Sequence, residues 1–345
     1  MAQPLLPIID LHCDLLSYLQ QGKNRSPFDT ITRCSHPQLK AGNVKLQTMA
    51  IFAHTDNKSA ATGLEQLKLY QELPLRYPAH FEPLTSLSSI TSQPSEKIYM
   101  LAAFENASAF ADENEPLTES LKRLATYHAK LGRIFYIGFT WDGENRFGGG
   151  IAAPQIGLKE DGKRLLDWMH DKNIACDLSH PSDRLAAEII EYIDKRSLNV
   201  PIMASHSNFR AVTPMPRNLP DEIAKEIIHR RGIIGLNFFA PFVKKGAPEQ
   251  LFSHIDYAFK LKAEDALCFG ADFFCDTDFP SVLQKYQTKE CFFPEFGDSS
   301  KYPQILNLAA SRLSLPDSLI NKLAWENASA FLLSRICASR RLMGS

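Results

Sequence analysis

Five apolar stretches of this chain run into side chains that can bind a metal or move a proton: His12 and Asp14, Glu105, Asp177 with His180, His206, and Asp272. In an extended strand side chains alternate between faces. His12 and Asp14 are therefore expected on one side, and Leu11 and Cys13 on the other. Alone, an H-x-D triplet is equally compatible with a strand that happens to end in polar residues. Three histidines at three different strand ends, joined by two carboxylates, would serve packing poorly. They suit two borderline-soft divalent ions such as zinc, with Glu105 free to bridge. Ions about 3.5–4 Å apart can hold a bridging hydroxide and polarise a carbonyl.

Such residues can meet only if the elements that carry them open on one face. Eight short apolar runs follow in order: Leu6–Cys13, Val44–Ala53, Ile98–Phe104, Ile134–Thr140, Ile174–Leu178, Pro201–Ser205, Gly232–Phe239 and Leu267–Phe274. Between them Leu117–Leu131, Arg184–Ile193 and Glu222–Ile228 carry apolar residues at i, i+3, i+4 spacing with charges between. Continuous apolar strands alternating with amphipathic helices indicate a parallel sheet covered by helices. Eight strands predict an α/β fold, a TIM-like (β/α)₈ barrel with a binuclear metal site at the C-terminal face of its strands; an open doubly wound sheet is the competitor. Gln20–Gly42 and Asp276–Tyr302 read as long loops above that face, and Phe292-Phe293-Pro294 as pocket wall or loop packing.

Bulk composition narrows the function classes. With 345 residues, 44% hydrophobic, 22% charged and a formal net charge of −1, the chain reads as one globular domain over 1–345 with ample core. The longest basic cluster is Arg340-Arg341, so no patch suited to nucleic acid or an anionic membrane is visible. Met1–Pro7 has no basic n-region and no apolar run reaches 18 residues, so neither a signal peptide nor a membrane span is expected. Seven scattered cysteines without a C-x-x-C pair fit a reducing cytoplasm. A homodimer is compatible with the sequence and not required by it.

Motif by motif, the chain resembles the membrane dipeptidase (renal dipeptidase) family of zinc metallopeptidases, in a bacterial-type form. Asp10-Leu11-His12-Cys13-Asp14 is similar to its N-terminal D-x-H-x-D, and Glu105 to its bridging glutamate. Asp177–His180 and Ser205–Ser207 resemble its two later histidine motifs, and Ser300–Pro303 a signature before the last helices. Arg217-Asn218 resembles the pair whose arginine grips the substrate carboxylate, and Gly270–Phe273 the motif whose aspartate serves the reacting amide. The resemblance implies that His12, Asp14 and Glu105 hold one Zn²⁺, and Glu105, His180 and His206 the other. It implies catalytic roles for Asp272 and Glu105, and a small dipeptide held by Arg217. Two positions depart from the pattern. Trp141 stands where well-known members carry a histidine, and Phe242 where a substrate-contacting tyrosine is expected. Both are expected beside the substrate, and Gly143 with Gly148–Gly150 suggests that Trp141 sits on a mobile loop.

The reading is a zinc-dependent dipeptidase. Its alternatives are a metal-dependent amidohydrolase acting on N-acyl amino acids or other small amides and lactams, and a non-catalytic ligand-binding homologue stabilised by its metals. His54 also ends a strand near the barrel mouth, but no family ligand falls there. His128, His170, His229 and His254 lie in helical segments and read as surface or helix-packing residues.

Overall fold

The computed structural model describes residues 5–87, 90 and 96–342. Residues 1–4 of the amino-terminal segment and the side chains of Arg340-Arg341 lie outside the described residues. Among the described residues nine strands form: β1 (Ile8–Cys13), β2 (Val44–Ile51), β3 (Phe81–Pro83), β4 (Ile98–Phe104), β5 (Ile134–Gly138), β6 (Ala175–Asp177), β7 (Ile202–Met203), β8 (Ile234–Leu236) and β9 (Leu267–Phe269). Eight run parallel in the order β7-β6-β5-β4-β2-β1-β9-β8. The two ends of that path meet through a parallel bridge between Ala204 and Ile234, where Gly235 N donates to Ala204 O at 2.8 Å. The result is the (β/α)₈ barrel. Sequence patterning missed β3, which is short and ends in a proline. It pairs with the first half of β4, on the edge that β5 takes over.

Two apolar layers follow from this closure. Ile9, Leu46, Leu101, Ala103, Phe135, Ala175, Met203, Ile233 and Cys268 pack together, so every barrel strand or its immediate start sends a side chain into the interior. Ala328, Phe331 and Leu332 of the last helix (Asn327–Leu342) join that cluster and plug the N-terminal end of the barrel. The second layer lies between strands and helices. The helix Asp183–Lys195 shows how it is built: Leu185, Ala186, Ile189, Ile190 and Ile193 are buried at helical spacing. Its start is set by Ser182, whose Oγ accepts from Leu185 N at 3.2 Å.

The expected alternation in β1 needs correction. Leu11 packs with the interior cluster, whereas Cys13 belongs to the helix-facing one. Between Asp10 and Cys13 the strand advances three residues while β2 advances two, Gln47 to Met49. That is a bulge, which shifts the phase of alternation. Asp10, below it, turns outward and accepts from Tyr302 Oη of the helix Tyr302–Leu313. His12 and Asp14, above it, both reach the barrel mouth. β5 repeats the device: Ile134 to Ile137 spans three residues against Ala102 to Phe104 on β4, and Phe135 and Tyr136 both enter the interior cluster.

The two long loops are partly helical. Gln20–Gly42 contains the helix His36–Ala41, and Asp276–Tyr302 contains the helix Pro280–Lys285. Phe292 and Phe293 are buried; Phe292 packs on Phe273 and Phe274, so this pair fastens the loop down. Cys13, Cys34, Cys176, Cys268, Cys275 and Cys291 are buried free thiols. No helix among the described residues is long and apolar enough to cross a membrane.

Candidate metal centre and substrate cleft

The histidines and carboxylates separated in sequence meet at the C-terminal end of the strands. His12 Nε2 lies 3.9 Å from Asp14 Oδ2, 3.7 Å from Glu105 Oε2 and 3.5 Å from Asp272 Oδ1. His180 Nε2 is 2.9 Å from Glu105 Oε1 and 3.0 Å from His206 Nε2. Three ligand groups result: His12, Asp14 and Glu105; Glu105, His180 and His206; His12, His206 and Asp272. Glu105 belongs to two of them, in keeping with a bridging position. Asp272, expected only as a proton carrier, is also close enough to be a ligand.

The partners of the outer ring nitrogens test whether cations fit. Ser205 Oγ donates to Asp177 Oδ2 at 2.6 Å, so it accepts from His206 Nδ1–H, also at 2.6 Å. Tyr136 Oη donates to Leu11 O at 3.3 Å and so accepts from His12 Nδ1–H at 2.7 Å. The Asp142 carboxylate, 3.4 Å from His180 Nδ1, can only accept. These partners assign the Nδ1–H tautomer to all three rings and leave three Nε2 lone pairs converging on carboxylates. Burial, reinforced by His180 and Arg217, depresses the His12 pKa well below the usual range; burial and Arg217 bring His180 down to about 4. His12 Nε2 is buried with no hydrogen-bond partner. Lone pairs and carboxylate oxygens held this close repel one another unless cations lie among them. The residues therefore fit divalent ions, each ligating imidazole oriented by an outer partner.

The carboxylates agree. Burial, then the neighbouring Asp272 charge, raises the Asp14 pKa well above its usual value, and burial with Asp14 and Asp272 does the same to Glu105. Divalent ions at the centre remove that cost by supplying the missing positive charge.

A sequence-family model described as membrane dipeptidase (Peptidase family M19) matches residues 3–332. The chain belongs to that family. As a member of the membrane dipeptidase family it is a metallo-dipeptidase, a hydrolase. A Klebsiella pneumoniae relative, an uncharacterized protein in the pqqA 5′ region, is 26% identical over 279 residues, covering 76% of this chain and 92% of its own. A metallo peptidase from Rhodobacter sphaeroides, crystallised with a phosphinate mimic of the dipeptide L-Ala-D-Ala, superposes with a TM-score of 0.77 at 20% identity, covering 96% of this chain and 99% of its own. A probable dipeptidase from Pseudomonas aeruginosa gives 0.76 at 15% identity, covering 97% and 96%. At these identities the superpositions speak for the fold.

Within this dipeptidase fold, Arg217 lies beside the ligand cluster, only 3% exposed. Its Nη1 donates to Ser207 Oγ at 3.0 Å and its Nη2 to His206 O at 3.2 Å, while Nε is buried without a partner. Asp272 adopts a left-handed backbone, φ 65°, a strained conformation for a residue with a side chain. Its N donates to His12 O at 3.3 Å, and its Oδ2 accepts from Asn237 Nδ2 at 2.8 Å. Gly270, two residues before it, lets the strand end pass close to the Ser205 backbone, since a Cβ there would meet Ser205 O at 1.8 Å. Burial pushes the Asp272 pKa up to about 7 against the opposing pull of Arg217 and Asn237.

Arg217, Asp272, Trp141 and Phe242 all line one cleft with His180 and Glu105. The Trp141 ring packs against Phe52, His54 and His180 at centroid distances of 5.2, 5.1 and 6.0 Å. The loop beneath it is tightly held, contrary to the mobility its glycines suggest. Gly150 N donates to Gly143 O at 2.9 Å, and a Cβ on Gly150 would meet Trp141 O at 1.8 Å. Gly148, Gly149 and Gly150 serve close packing, whereas a Cβ on Gly143 would meet open space. His54 is exposed and takes no part in the ligand cluster. Reading the sequence missed Tyr136, Asn237 and Lys285, which pairs with Asp142 at the cleft. Asp142 was visible as a neighbour of Trp141 but carried no sign of its contact with His180.

Proposed function

We propose that this chain is a zinc-dependent dipeptidase that hydrolyses the amide bond of small dipeptides at a binuclear centre. The observation that carries the reading is the unpartnered Arg217 Nε, buried beside three converging imidazole lone pairs. His12, Asp14 and Glu105 would hold one ion, and Glu105, His180 and His206 the other. Imidazole and carboxylate ligands together suit zinc. When bound, the ions supply the Lewis acidity that activates water and polarises an amide carbonyl.

The chain's own residues do the rest. Arg217 offers Nε and the free side of its Nη groups as a planar fork, a bidentate match for a C-terminal carboxylate. Ser207 and His206 O hold that fork in place. Asn237 occupies Asp272 Oδ2, leaving Oδ1 turned toward His12. From there Asp272 takes the proton of the attacking water and returns it to the leaving nitrogen.

The test is turnover of L,L, L,D and D-configured dipeptides beside N-acyl amino acids by the metal-loaded protein. Dipeptide hydrolysis supports the reading. Selective hydrolysis of N-acyl substrates would move it to the amidohydrolase alternative, and no turnover of either class to a metal-stabilised binding protein.

A further inference from the structure

The arginine that would hold the carboxylate is embedded in aromatic rings. Arg217 Cζ lies 5.4 Å from the Phe242 ring centre. Phe242 packs edge-on against Phe239 at 4.8 Å and Tyr286 at 5.3 Å, and Phe239 continues to Phe274 at 5.9 Å. All four rings line the cleft, so they form one wall that starts at the guanidinium. They come from the segments after β8 and β9. Phe52 and Trp141, which follow β2 and β5, each lie three strands round the ring from β8. Besides Arg217, the cation at this wall is Lys285, whose Nζ lies 5.0 Å from the Tyr286 ring centre and is paired with Asp142. The wall also lacks a hydroxyl at Phe242 itself.

A dipeptide anchored by its carboxylate on Arg217 places the side chain of its C-terminal residue within a few ångströms of that anchor. We propose that this subsite selects a large apolar side chain, above all an aromatic one, on the C-terminal residue, seated against Phe242 and Tyr286. The inference rests on the dipeptidase reading and goes further, to the substrate class. Aromatic rings gain from apolar burial and from edge-to-face contacts with the wall, while glycine or an acidic side chain gains neither.

The experiment compares two substrate series on the zinc-loaded enzyme. One varies the C-terminal residue (Ala-Gly, Ala-Ala, Ala-Leu, Ala-Phe, Ala-Glu); the other varies the N-terminal residue through the same set. In the first series kcat/KM should rise roughly 10–100-fold from Gly to Phe, with Glu no better than Gly. The N-terminal series should span a narrower range. Tyr286→Ala and Phe242→Ala should each compress the Gly-to-Phe ratio several-fold. Good rates with a flat or reversed C-terminal series would overturn the subsite alone, as would an undiminished ratio in both variants. Absence of turnover for every dipeptide would overturn the subsite and the dipeptidase reading together.

Discussion

Replacing Arg217 by lysine isolates what the fork contributes beyond its charge. The guanidinium is buried, spends one Nη contact on Ser207 Oγ and one on His206 O, and keeps Nε for a ligand. An ammonium carries three donors on a point and cannot meet two carboxylate oxygens in one plane while also holding both internal acceptors. At least one charge-assisted hydrogen bond to substrate is lost, or a buried acceptor goes unpaired. Truncating one partner of a buried charged contact costs about 2–4 kcal/mol. At 1.36 kcal/mol per decade, kcat/KM on free dipeptides should fall roughly 30- to 1,000-fold. The assay runs wild type and variant on a dipeptide and on its C-terminal amide, with metal content measured because Arg217 Nη2 lies 3.4 Å from His180 Nε2. The amide, lacking the carboxylate, should lose far less. Unchanged kinetics on the free dipeptide, or equal impairment on both substrates at full metal content, would refute the clamp.

Three further outcomes follow from the centre. His180→Ala and His206→Ala should each sharply lower bound metal and abolish turnover in a folded barrel; two ions per chain by elemental analysis in either variant would overturn the ligand assignment. Tyr136→Phe removes only the hydroxyl that orients His12, and should weaken metal affinity about 10–100-fold in chelator competition; unchanged affinity would reduce Tyr136 to packing. Trp141→Phe keeps a ring against Phe52 and His54, so kcat should stay within about threefold of wild type. A fall of about 100-fold, with zinc content and KM unaltered, would show that the indole N–H stabilises developing charge.

Much of the centre was legible because polar residues interrupt apolar strands. His12, Asp14, Glu105, His180 and His206 each stand where a parallel barrel strand should stay hydrophobic or end, and such a break has few explanations other than a site. Tyr136 gave no such break. It lies inside Ile134–Gly138, where its hydroxyl reads as one more aromatic residue, and only the bulge in β5 turns it toward His12. Phe239 and Tyr286 were hidden for a related reason: an aromatic that lines a cleft has the same residue type and spacing as one that packs a core. The mobility inferred from Gly148–Gly150 failed because glycine serves flexibility and close backbone approach alike, and periodicity does not distinguish them.

The bulges in β1 and β5 carry a consequence for how such a site can be gained or lost. Each consists of a surplus residue rather than a special one. Strict alternation carried on from Asp10 through Leu11 would send the His12 imidazole toward the Tyr302 helix, where Asp10 already points; the surplus residue at the bulge is what returns it to the barrel mouth. In this barrel the register of β1 against β2, and not the residue types of the motif alone, decides whether that imidazole reaches the centre.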